Sequence, residues 1–199
     1  AKLGTSATLH SVMLRFAGIG ESALEELLID LIREQSDPTI APYAKEGEVT
    51  IRVSTKAADA EEAAIKMEGT LAEIRRRTEP YLYAEEDIAI EEAVVRLLKS
   101  QRRSLALAES CTGGMAAEMI TAVPGSSDAF LGGVVSYTNA LKRKLLGVPA
   151  GLLEGDGAPG AVSKETAAAM AEGIRAATDA DFGVSVTGVS EMRMSGGPV

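Results

Sequence analysis

Apolar and polar residues alternate over positions 9–16, where Leu9, Val12, Leu14 and Phe16 mark a strand that ends at Gly18-Ile19-Gly20. The spacing then becomes helical. Leu24, Leu27, Leu28, Leu31 and Ile32 recur at i, i+3, i+4, i+7 and i+8, which predicts an amphipathic helix over 21–34. Ser22 and Glu25 have the spacing of a capping box. Asp37-Pro38 breaks the helix, and a short strand over 39–43 and a turn at Lys45-Glu46-Gly47 follow. Val49, Ile51 and Val53 share one face of a strand over 48–55. A second helix spans 59–79, opened by Asp59 with Glu62 and stopped by Pro80, and Tyr81-Leu82-Tyr83 adds a last strand. The order β-α-β-β-α-β predicts a small α+β domain, one sheet under two helices.

A different alternation begins past Ala84. The pattern predicts a helix over 85–101 with an acidic first turn (Glu85, Glu86, Asp87), then a strand over 104–108 and a helix over 115–123. A strand over 131–137, a helix over 139–146, a loop over 147–160, a helix over 163–178 and a strand over 181–187 complete it. Alternation of this kind implies a three-layer α/β/α sandwich. Two domains are expected, 1–84 and 85–199.

Composition narrows the function classes. The 199 residues carry a net charge of −9, spread over both halves: 10 basic and 14 acidic side chains in 1–84, and 10 and 15 in 85–199. Neither half has the basic excess of a nucleic-acid binder. One cysteine permits no internal disulfide, which fits a reducing cytoplasm. No apolar run approaches the roughly 18 residues of a membrane span. The single histidine, His10, lies in the first domain. A multi-histidine metal site within one chain is therefore excluded, and a serine nucleophile in the second domain would need another base, for which a lysine of lowered pKa is the usual substitute.

The candidate chemistry sits at Ala108-Glu109-Ser110-Cys111-Thr112-Gly113-Gly114, between a strand and a helix. Thr112, Gly113 and Gly114 would open the helix, where free N–H groups favour a phosphate or a developing oxyanion. A capped, glycine-rich turn that only reverses the chain would read the same way. Cys111 is a chemical rival to Ser110 but has no histidine nearby to activate it.

Three further motifs follow in order: Gly125-Ser126-Ser127, then Tyr137-Thr138-Asn139 with Lys142 and Leu146-Gly147-Val148, then Gly160-Ala161-Val162-Ser163. Together with the first they resemble the C-terminal domain of the CinA (competence/damage-inducible) family, an amidohydrolase of nicotinamide mononucleotide. The first 84 residues resemble the small KH-type domain of the long CinA proteins, which carry a molybdopterin-binding-like domain ahead of it.

The resemblance implies a mixed sheet in the second domain and hydrolysis of nicotinamide mononucleotide to nicotinic acid mononucleotide and ammonia. It implies no cofactor and no metal, and a homodimer acting on a small nucleotide without nucleic acid or membrane partners. Ser110 matches the nucleophile and Lys142 the base, with Tyr137 hydrogen-bonding the attacked group or relaying a proton. Ser126, Ser127 and Asn139 fall on substrate-binding positions, as do backbone donors at Thr112, Gly113 and Gly114. Thr187 and Gly188 end a strand on the ligand side of the sheet. Glu109 would orient Lys142 or a ribose hydroxyl, or form a structural ion pair.

After Val189 the sequence leaves the family pattern over Ser190–Ser195, so the domain is expected to be truncated, which leaves open whether this chain alone is active. Two readings of other classes stay open: a non-catalytic interaction module linked to competence or the DNA-damage response, and a nucleotide-binding domain without hydrolysis. The first domain lacks the Gly-x-x-Gly loop with basic flanks of an RNA-binding KH motif. Its only basic cluster is Arg75-Arg76-Arg77, and it is read as a structural connector or a dimerisation piece.

Overall fold

The computed structural model describes residues 7–45 and 48–189, so the tail from Ser190 lies outside the described residues. The chain divides into two compact units, 1–93 and 94–199.

The first unit follows the order predicted: β1 (Thr8–Phe16), α1 (Glu21–Glu34), β2 (Thr39–Lys45), β3 (Glu48–Ala57), α2 (Ala60–Thr78) and β4 (Leu82–Ala84). The sheet runs β2-β3-β1-β4 with antiparallel neighbours, the split β-α-β arrangement. Cross-strand pairs Leu14–Ile51 and Val12–Val53 place one face of the sheet toward the helices. Leu14, Phe16, Ile51 and Val53 are buried there with Leu24 and Leu28 of α1 and Met67 and Ile74 of α2. Each such side chain contributes about 1.5–3 kcal/mol of burial.

Asp59 caps α2 as expected, accepting from the Glu62 N–H at 2.9 Å, while the Glu62 carboxylate accepts from Ala58 N–H. The expected box at α1 is absent. Gly20 is the N-cap, so Ser22 lies inside the helix, where its hydroxyl cannot cap it. The basic run is engaged within the unit: Arg75 by Glu85 and Glu68, Arg76 by Glu73, and Arg77 by Asp30 and Glu73.

The acidic segment 85–87 is not a first helical turn. Glu85 pairs with Arg75 and Asp87 with Arg15, which holds the segment to the first unit, and α3 begins at Ile90 and runs to Gln101.

The second unit continues with β5 (Leu105–Glu109), α4 (Met115–Thr121), a 3₁₀ turn (Ser126–Asp128), β6 (Phe130–Val135) and α5 (Asn139–Leu146). A short α6 (Ala150–Leu153) lies in the expected loop, followed by α7 (Lys164–Thr178) and β7 (Phe182–Val186). The sheet order is β6-β5-β7, and both pairings are parallel. The antiparallel strand that a mixed sheet calls for is not among the described residues.

Alternation along β5 builds the three layers. Leu105 and Leu107 pack with Val95 and Leu98 of α3 and Ile120 of α4. Ala106 and Ala108 face the other way, toward Leu146, Leu153, Met170 and Ile174 of α5–α7. The outer layer lies close: a Cβ at Gly183 would meet the Ala171 carbonyl of α7 at 2.1 Å, so only glycine fits there. Among the described residues, no helix is long and apolar enough to cross a membrane.

Candidate active site

The site forms at the carboxyl ends of the parallel strands, where open α/β sheets bind ligands. Side chains of successive strand residues point to opposite faces. Glu109 therefore turns toward α4, and Ser110, just past the strand, turns toward α5.

On the α5 side, Ser110 meets Lys142. Thr138 caps α5, accepting from the Leu141 N–H, and the first helical turn then carries Lys142 inward. Lys142 and Leu146, one turn apart, form the buried face of α5. The Lys142 side chain is 1% exposed. Its Nζ lies 2.9 Å from Ser110 Oγ, 2.7 Å from the Ser136 carbonyl and 3.3 Å from the Tyr137 carbonyl. Among the described residues no carboxylate pairs with it. Burial disfavours the ammonium and lowers its pKa from the usual value, against a smaller opposing effect of Cys111.

On the α4 side, Glu109 is 2% exposed and its carboxylate accepts three backbone N–H groups: Gly114 at 3.1 Å, Ala116 at 3.1 Å and Ala117 at 2.8 Å. Burial raises its pKa, and these bonds, with the nearby Thr112 hydroxyl, outweigh that and hold it below the ordinary carboxylate value. Gly114 has φ +107°, a conformation that disfavours any residue with a Cβ. The expected anion site at the start of α4 is thus filled by the protein's own carboxylate. Among the described residues Glu109 makes no hydrogen bond to Lys142.

The turn accounts for its other donors too. The Ser110 N–H goes to the Val186 carbonyl, Gly113 N–H to the Ser110 carbonyl at 3.2 Å, and Met115 N–H to the Thr112 carbonyl. The N–H groups of Cys111 and Thr112 bond to no described residue. Thr112 Oγ1 is buried and completes no hydrogen bond of ordinary geometry.

The remaining candidates divide by position. Tyr137 is 65% exposed beside the site, its carbonyl on Lys142. Asn139 opens α5, half-buried. The Thr187 hydroxyl donates to the Ala161 carbonyl at 2.7 Å and so ties the end of β7 to the loop before α7. Gly188 lies against Cys111, whose sulfur would be 3.1 Å from an added Cβ.

Ser126 and Ser127 are not brought into the site. They precede β6, at the end of the sheet where Leu105 N–H meets the Ala129 carbonyl. Six residues of β6, about 3.3 Å each, separate them from the Ser110 end by about 20 Å. Ser126 is buried in a 3₁₀ turn and Ser127 is exposed.

The sequence reading missed Ser136. It is fully buried, its N–H donates to the Glu109 carbonyl at 2.7 Å, and its own carbonyl holds Lys142. The available signal was the lysine one helical turn before Leu146, on a face reserved for apolar residues. Among the described residues no group of three or more His, Cys, Asp or Glu is placed to hold a metal ion.

Comparison with known proteins gives this site a family. Residues 11–84 match the model of the damage-inducible protein CinA KH domain, and residues 87–197 that of the CinA C-terminal domain. A putative competence-damage inducible protein of Symbiobacterium thermophilum is 50% identical over 187 residues, covering 94% of this chain and 43% of that protein. A CinA-like protein of Dictyoglomus turgidum is 44% identical over 186 residues, covering 94% and 44%. The chain thus spans less than half the length of these relatives. Among solved structures, the competence/damage inducible protein CihA from Agrobacterium tumefaciens is 36% identical, covering 56% of this chain and 67% of that one, with a TM-score of 0.46. By sequence, in both of its units, the chain belongs to the CinA family.

Proposed function

We propose that this chain carries a serine–lysine amidohydrolase site that converts nicotinamide mononucleotide and water to nicotinic acid mononucleotide and ammonia. The observation that carries the reading is the 2.9 Å contact between the buried Lys142 amine and the Ser110 hydroxyl, with no carboxylate among the described residues to hold the lysine charged. The choice of substrate rests on family resemblance.

A neutral Lys142 would donate its two N–H groups to the Ser136 and Tyr137 carbonyls, and its lone pair would then face Ser110. Lysine serves as base in Ser–Lys hydrolases once its pKa falls toward the working pH. Ser110 Oγ attacks the carboxamide carbon and its proton passes to Lys142. The negative oxygen is stabilised by the N–H groups of Cys111 and Thr112, which no described residue engages. Collapse breaks the C–N bond, and Lys142 returns the proton to the departing ammonia. Water, deprotonated by Lys142, attacks the acyl-serine; the bond to Ser110 Oγ breaks, Lys142 returns the proton to that oxygen, and the carboxylic acid is released. Tyr137, exposed beside the site, would hydrogen-bond the attacked group or relay a proton.

The test is ammonia release from nicotinamide mononucleotide in the presence of chelator. Ser110→Ala and Lys142→Ala are each expected to lose at least about a thousandfold. If both variants retain the wild-type rate, the assignment fails. If only Cys111→Ala abolishes release, the nucleophile is the thiol. Nucleotide binding without ammonia from the wild type would favour a binding domain.

A further inference from the structure

We propose that Glu109 is a positioning residue for Ser110, holding the turn between them and α4 in the shape that leaves the Cys111 and Thr112 N–H groups open to an oxyanion. The proposal rests on the serine–lysine reading above.

The argument is an accounting of donors, since each buried N–H needs a partner. Seven backbone N–H groups follow Ser110 up to Ala117. Glu109 takes those of Gly114, Ala116 and Ala117. The chain takes those of Gly113 and Met115. The two that remain, Cys111 and Thr112, directly follow the nucleophile, where an attacked carbonyl would place its oxygen. An ordinary helix start would offer its own first N–H groups to an anion instead. Here a buried carboxylate occupies that place and repels a second negative charge from it.

The same residue reaches the other half of the site. The Glu109 carbonyl accepts from the Ser136 N–H at 2.7 Å, and the Ser136 carbonyl accepts from Lys142 Nζ at 2.7 Å. Side chain and main chain of one residue therefore hold the nucleophile's turn and an anchor of the base. A polar cap would have sufficed to start α4. A carboxylate supplied from the preceding strand ties the helix start to the strand end instead, and the turn between cannot drift.

The experiment measures the rate at which a fluorophosphonate probe labels Ser110, alongside ammonia release. In labelling, the Ser110 Oγ–P bond forms, P–F breaks, fluoride leaves and the serine proton passes to Lys142. The reaction builds negative charge on the phosphoryl oxygen and so reports the donors without the natural substrate.

Glu109→Gln has one acceptor where the carboxylate has two, and places an amide against N–H groups. It is expected to lower the maximal labelling rate at least about thirtyfold, less than the roughly hundred- to thousandfold cost of deleting an oxyanion donor, because the variant displaces the donors without removing them. The half-saturating probe concentration should stay within threefold. A variant with a lowered unfolding temperature but a labelling rate within threefold of wild type would make Glu109 merely structural and overturn the proposal. So would a wild type unlabelled at Ser110. Labelling of the wild type without ammonia release would remove the proposed substrate and leave the positioning role standing on the labelling rates. Should Glu109→Gln not fold, Glu109→Asp keeps the charge on an arm too short to reach both Gly114 and Ala117. It is expected at least tenfold slower, and an unchanged rate overturns the proposal.

Discussion

Among the described residues each unit buries one cation, Arg15 and Lys142, and the two are held in opposite ways. Arg15 of the first unit is 9% exposed and lies between two carboxylates, Glu48 and Asp87. The hydrogen bond to Asp87 raises its pKa and outweighs desolvation. Lys142 of the second unit is buried more deeply, yet among the described residues meets only two carbonyls and a hydroxyl, and desolvation lowers its pKa. Desolvating a charge costs several kcal/mol unless an opposite charge offsets it. Arg15 has that offset and remains a fixed cation. Lys142 lacks it and is poised to give up its proton. The first arrangement serves the fold, and on the proposed reading the second serves chemistry.

Replacing each cation by methionine separates the two roles most widely. Lys142→Met should remove ammonia release by at least about a thousandfold. Its stability to urea should stay within about 1 kcal/mol of wild type, because loss of the amine's desolvation penalty offsets the two carbonyls left unpaired. Arg15→Met should leave the rate of the folded protein unchanged and lose about 1–3 kcal/mol, since it strands Glu48 and Asp87 beside each other. A Lys142→Met protein as destabilised as Arg15→Met would mean that both cations are structural.

The pattern of residues announced one of these sites better than the other. Ser110 and Lys142 were legible, the first from the strand–turn–helix motif and the second from its family frame. The strand over Val49, Ile51 and Val53 and the Asp59 cap were legible because both are local. The acidic run at 85–87 misled, because Arg15 and Arg75 are remote in sequence. Ser22 and Glu25 misled because a helix start depends on where β1 releases the chain, two residues earlier than the motif requires. Ser126 and Ser127 misled because chain order does not say which end of a strand a loop occupies. The role of Glu109 was available, since strand parity sets it and Ser110 on opposite faces.

Acidity gives a second, smaller separation. Lys142 is depressed in the folded protein, so from its folded pKa up to the ordinary 10.5 the unfolded chain binds more protons. Over that window, wild-type stability should rise with pH relative to Lys142→Met, by at most about 1.4 kcal/mol per pH unit. Arg15 is protonated in both states throughout, so the difference between wild type and Arg15→Met should stay flat. The rate of ammonia release should rise through the same folded pKa of Lys142 and level off above it. Glu109 acts at the acid end. Its depressed pKa gives stability that is full above the unfolded value of 4.5 and lost as pH falls through the folded one. Urea titrations across pH check all three. A flat Lys142 difference would place the amine in a watery setting.

The smallest effect bears on how Lys142 is anchored. Its nearest partner is the Ser136 carbonyl at 2.7 Å, while the Ser136 hydroxyl makes only a 3.4 Å contact to the Glu109 carbonyl. That carbonyl is already satisfied by the Ser136 N–H at 2.7 Å. Ser136→Ala keeps both backbone bonds and loses one weak one, so kcat/KM should change less than about threefold and stability by about 0.5–1 kcal/mol. Arg15 differs here as well, since side chains that can be mutated away hold it. A tenfold loss in Ser136→Ala would mean that a side chain holds Lys142 too, and the distinction between a cation fixed by charge and a base cradled by backbone would fail at its most specific point.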